Sequence, residues 1–83
     1  MDSYEIEFSV SREHSGKATY MAKQYQSYTS PYQVDCGNNR CKQHFVFKSL
    51  NDLLKFVTLA FKEFNSDFEV LGIRCRRKVS DVK

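Results

Sequence analysis

Tyr4, Ile6, Phe8 and Val10 alternate with Glu5, Glu7 and Ser9, a period-two pattern that predicts a strand with one buried face. The polar residues 12–17 read as a hairpin loop, and 18–28 as a second strand. Tyr20, Met21, Ala22 and Tyr25 share no single face in that strand, which implies a twist, a bulge or an edge position. Ser27 to Pro31, with the only proline, is a break. Tyr32, Val34 and Cys36 alternate with Gln33 and Asp35 as a third strand. Gly37-Asn38-Asn39-Arg40 is the strongest turn signal, because Gly and Asn tolerate positive φ. Cys41 to Phe47 form a fourth strand with Phe45 and Phe47 on one face.

The period changes at Ser49. Ser49 and Asp52 make a capping-box-like start that satisfies orphaned backbone N–H groups. Leu50, Leu53, Leu54, Val57, Phe61 and Phe64 recur at helical spacing as one apolar face, and Asn65-Ser66 ends the helix. Phe68 to Val79 reads as a last strand, with Leu71, Ile73 and Cys75 on one side and Arg74, Arg76 and Lys78 on the other. Residues 80–83 read as a frayed end. The expectation is a single α+β domain over 1–83 in the order β-β-β-β-α-β. A mainly antiparallel sheet of four to five strands would carry one helix on one face and leave the other free.

Composition sharpens this picture. An 83-residue chain is too short for most nucleotide-fold enzymes. Its seven Phe and five Tyr still supply a core, with Phe8, Phe45, Phe47, Phe61 and Phe64 placed in it. No run of about 18 apolar residues occurs, so no helical membrane span or membrane partner is expected. The acidic, alternating N-terminus lacks a signal-peptide pattern. The three cysteines, Cys36, Cys41 and Cys75, then read as reduced thiols in a cytoplasm, that of a host if the chain is phage- or virus-encoded. The net charge of +3 is unevenly spread. Residues 1–35 carry three basic and five acidic groups, and residues 36–83 ten basic and five acidic.

Three surfaces are candidates for contact. Arg74, Arg76 and Lys78 alternate on the last strand, where guanidinium groups suit phosphates or acidic partners. Lys23, Tyr25, Lys42 and His44 join them if register places them on the same face. Glu5 and Glu7 cancel the patch as cross-strand pairs if their strand is its neighbour. On the helix, Phe56 and Leu59 fall outside the apolar face and form a candidate seam for a homodimer or another protein, unless the Tyr-rich segment covers them. That segment, with Tyr25, Tyr28 and Tyr32, suits either an adaptable surface or a soluble edge.

Candidate chemistry is sparse. Cys36, Cys41, His44 and Cys75 have the residue types of a zinc site, but four residues separate the first pair and alternation turns His44 away from Cys41. A Cys36–Cys41 disulfide is the other bonded reading, and plain thiols the bland one. His14 and His44 are the only histidines, and no phosphate loop, nucleophile elbow or metalloprotease helix occurs. Neither a cofactor nor a metal is expected. In size and lack of a catalytic motif the chain is similar in style to accessory proteins of phages and mobile elements, such as anti-CRISPR proteins, though no motif residue carries that resemblance. The leading expectation is a non-enzymatic binding protein that inhibits or regulates a larger protein or nucleoprotein by surface contact. Phe56, Leu59, Arg74, Arg76 and Lys78 would touch the partner. The rival is a single-stranded RNA or DNA binder using Lys23, Tyr25, Lys42, Arg74, Arg76 and Lys78. A small ribonuclease using His14 with Lys or Tyr is a third reading.

Overall fold

A computed structural model describes residues 3–26 and 32–76. Strand β1 (Ser3–Ser11) follows the expected alternation and leads into helix α1 (Arg12–Tyr25). Strands β2 (Tyr32–Cys36) and β3 (Arg40–Phe47) form a hairpin about the Gly37–Arg40 turn. Helix α2 (Leu50–Phe64) starts at Ser49, whose hydroxyl accepts the Asp52 N–H. Asn65, at φ 52°, breaks the helix into a short 3-10 turn (Asn65–Asp67) before strand β4 (Glu69–Arg76). All three strand pairings are antiparallel, in the order β2-β3-β1-β4. This β-α-β-β-α-β connectivity is that of the ferredoxin-like arrangement.

The α+β class and the antiparallel sheet agree with the sequence reading, but there are two helices and four strands. Residues 12–25, expected as a hairpin loop and most of a second strand, are one helix. Its buried side chains are Ser15, Ala18 and Ala22, at i, i+3 and i+7, so the inward stripe is helical but made of small residues. Those small residues leave room for Gln43, which projects from β3 and is almost fully buried. Its Nε2 donates to Ser15 O at 3.0 Å and Ser15 Oγ at 2.9 Å, and its Oε1 accepts from Thr19 Oγ1 at 2.9 Å. A buried amide with its polar atoms paired costs little, and it fixes where α1 sits on the sheet.

Helix α2 is rotated relative to its expected phase. Leu53, Phe56, Ala60 and Phe64 face inward, while Leu50, Leu54 and Phe61 are 44%, 50% and 47% exposed. Phe56 therefore belongs to the core and cannot form the helix seam expected of it. Its ring lies 5.3 Å from Phe8 and 5.9 Å from Phe47, and Phe8 in turn lies 5.0 Å from Phe68. Leu59 is half-exposed on the other flank, in an open groove with Tyr25, Asn51 and Lys55. Ser27 to Pro31, with Tyr28, and residues 77–83, with Lys78 and the expected frayed end, lie outside the described residues.

Phe56→Ala is expected to cost about 3–5 kcal/mol, as for a large buried side chain. Phe61→Ala should cost roughly 1 kcal/mol, since the ring is half in water and meets chiefly Phe68, at 4.9 Å. Urea unfolding midpoints at constant slope measure both, and the opposite ranking would restore the phase read from the sequence.

Candidate functional site

Alternation divides the sheet cleanly. Ile6, Phe8 and Val10 of β1 and Cys41, Gln43, Phe45 and Phe47 of β3 point toward the helices and are buried. The residues between them form the open face. Register arranges that face in rows. Gln33, His44, Glu7 and Gly72 lie side by side across β2, β3, β1 and β4. In the next rows Val46, Glu5 and Arg74 align, as do Asp35, Lys42, Ser9 and Glu69. Nearly every cation thus has an anion one strand away.

Glu5 is the centre of this pattern, with a side chain only 14% exposed. One of its oxygens lies 3.2 Å from His44 Nε2 and the other accepts from Arg76 Nε at 2.8 Å. Beside it a depression of about 180 Å³ opens above Gly72, whose missing side chain exposes the strand. Glu5, Glu7, His44 and Arg74 line it. Glu7 and Arg74 form no ion pair among the described residues.

The expected basic patch is therefore redistributed. Arg74, Arg76, Lys42 and His44 do share the open face, but Glu5 and Glu7 stand among them. Lys23 and Tyr25 do not join them, because they belong to α1 on the other side of the sheet. Lys23 instead lies against Tyr32, with Nζ donating to the phenol oxygen at 3.2 Å and resting 4.8 Å from the ring centre. Tyr32 stacks on Phe45 at 5.1 Å, so it caps the edge of the core.

A second polar cluster escaped the sequence reading because its members are far apart in the chain. Asp67 Oδ2 accepts from the Ser11 N–H at 3.0 Å and the Ser11 hydroxyl at 2.9 Å, and meets His14 Nδ1 at 2.7 Å. Arg40 clamps the same residue through Asp67 Oδ1 at 2.8 Å and Asp67 O at 2.7 Å, and reaches Ser9 with its remaining donors. The cluster ties the start of α1, the β2–β3 turn and the entry to β4 into one knot. Desolvation pushes the Asp67 carboxyl up, but the hydrogen bonds from His14, Ser11 and Arg40 outweigh it and hold the group well below the usual carboxylate range. Ser11, His14 and Asp67 have the residue types of a nucleophilic triad but not its arrangement. Ser11 Oγ and Asp67 Oδ2 both approach the same ring nitrogen, Nδ1, so the imidazole cannot pass a proton from one side to the other.

The cysteines also differ from the reduced-thiol reading. Cys36 and Cys41, directly opposed across the hairpin, form a disulfide, and Cys75 is free and exposed. The Cys36–Cys41 bond occupies two of the four residues of the zinc alternative, and no metal-ligating cluster occurs among the described residues. The odd cysteine count thus no longer supports a cytoplasmic setting by itself. No described helix is long and apolar enough to cross a membrane.

Because its pKa is lowered on folding, Asp67 contributes stability that is complete above about pH 4, the unfolded value, and lost as pH falls through the folded value. Asp67→Asn is expected to lose roughly 1.5–3 kcal/mol at pH 7. Urea midpoints from pH 7 to pH 2 should then fall more gently for Asp67→Asn than for the wild type. Parallel curves would show that Asp67 is not the acid-sensitive group.

No protein-family model matches the chain, and no curated protein matches it at a significant level.

Proposed function

We propose that the chain is a non-enzymatic binding protein that regulates or inhibits a larger protein or nucleoprotein through the open face of its sheet. The observation that carries this reading is the Arg76–Glu5–His44 ladder at the centre of that face. A surface for a polyanion would place cations where the phosphates run. Here the middle strand contributes Glu5 and Glu7, and the cations sit on the strands beside it. Such alternation suits a protein surface of complementary charge, where it fixes register and excludes wrong partners. Tyr and Phe rings for stacking bases are absent from the open-face rows among the described residues. Single-stranded nucleic acid therefore receives less support than protein. The Nδ1-only geometry at His14 favours a structural role for the Ser11–His14–Asp67 cluster over a hydrolytic one. A host enzyme or defence complex is the partner class suggested by the chain's size.

The test is capture from nuclease-treated cell extract by wild-type chain and by Lys42→Glu, which reverses an exposed charge on this face. A protein retained by the wild type and lost, at least about tenfold, by Lys42→Glu supports the reading. Fluorescence anisotropy with a labelled single-stranded oligonucleotide supplies the contrary outcome. Tight binding that weakens steeply with salt would replace protein recognition by nucleic-acid binding.

A further inference from the structure

Strand β4 lies at the edge of the sheet, with one side bonded to β1 and the other unpaired among the described residues. An open edge offers a row of N–H and C=O groups to another strand. Its side chains add two observations. Helix α2 packs on β1 and β3, leaving Ile73 52% exposed beyond it, and Leu71, 44% exposed, is the extra residue at which the β1–β4 register shifts. On the open face, the cation Arg74 and the anion Glu7 both lack an ion-pair partner within the described residues, and Gly72 leaves a gap beside Glu7.

We propose that a second copy of this chain docks antiparallel on the β4 edge, about a two-fold axis through Ile73. Opposed residues in such a pairing share a face. Ile73 then meets Ile73 of the other copy, on the side of the helices. Arg74 stands opposite Gly72 of the other copy, and its guanidinium extends over that glycine into the depression lined by Glu5 and Glu7. Two-fold symmetry makes this contact twice and pairs both β4 edges at once, which is how a self-complementary interface closes. Registers centred further toward the C-terminus of β4 fail on charge. An axis through Arg74 sets the two Arg74 side chains against each other, and one through Cys75 sets Arg74 against Arg76. The product is a continuous eight-stranded sheet with four helices on one side and both open faces on the other. It is independent of the larger partner proposed above, and moves the expected homodimer seam from the helix to the sheet edge.

Charge reversal tests this directly. Light scattering coupled to gel filtration, over a dilution series, should give twice the 9.8 kDa chain mass for the wild type at high concentration. Glu7→Arg and Arg74→Glu should each weaken self-association at least about tenfold, because each sets like charges together at two contacts. Both positions are exposed, and unchanged circular dichroism establishes that each variant is folded. An equimolar mixture of the two variants should recover the dimer, since both contacts between unlike copies again join Arg to Glu. A wild type that is monomeric throughout, variants that associate as the wild type does, or a mixture that stays monomeric would each overturn the proposal.

Discussion

Strand β1 is bonded along both edges, and that constraint organises the molecule. A strand held between β3 and β4 cannot shift by one residue without exchanging its two faces, so Ile6, Phe8 and Val10 are committed to the core and Glu5 and Glu7 to the open face. The two halves of the fold meet on this strand. Phe8 gathers Phe45, Phe56 and Phe68 on one side. On the other, Glu5 gathers His44 from β3 and Arg76 from β4. Core packing and surface charge are thus consequences of the same alternation.

What the sheet does not fix, two polar clusters do. Gln43 locates α1 through Ser15 and Thr19 in an interior made mostly of phenylalanine and aliphatic side chains. Asp67 locates the ends of three elements through Ser11, His14 and Arg40. The Cys36–Cys41 bond closes the hairpin whose turn residue Arg40 serves that second cluster. A small domain buries a modest fraction of its surface, so such fastenings carry more of its stability than they would in a larger one.

Strands β1, β2 and β3 were legible in the sequence because each alternates large apolar side chains with polar ones, whereas in β4 a register shift at Leu71 separates it from the face of Ile73 and Cys75 expected for it. Helix α1 was not, because its buried stripe is Ser15, Ala18 and Ala22, which a search for large hydrophobic residues passes over. Helix α2 is legible as a helix, but its phase is not. It carries apolar residues on both flanks of its buried stripe, and the inward direction is set by Ala60, which permits close approach, and by the aromatic cluster that takes Phe56. Phe56 and Phe61 consequently exchange the roles expected of them. The basic strand was visible, but its meaning depended on strand order, which no local pattern encodes. Only the placement of β1 beside β4 brings Glu5 to Arg76 and turns a basic stripe into a mixed-charge surface. The Asp67 cluster, whose parts lie up to 56 residues apart, carries no local signal at all.

Strand neighbours decide the charge pattern of the open face, and nuclear magnetic resonance reads neighbours directly. Cross-strand proton contacts are expected from Glu5 to both Val46 and Arg74, with further contacts linking Tyr4 to Phe47 and to Cys75. Contacts placing β4 beside β2, or leaving β1 with a single neighbour, would separate the glutamates from the arginines and contradict the account.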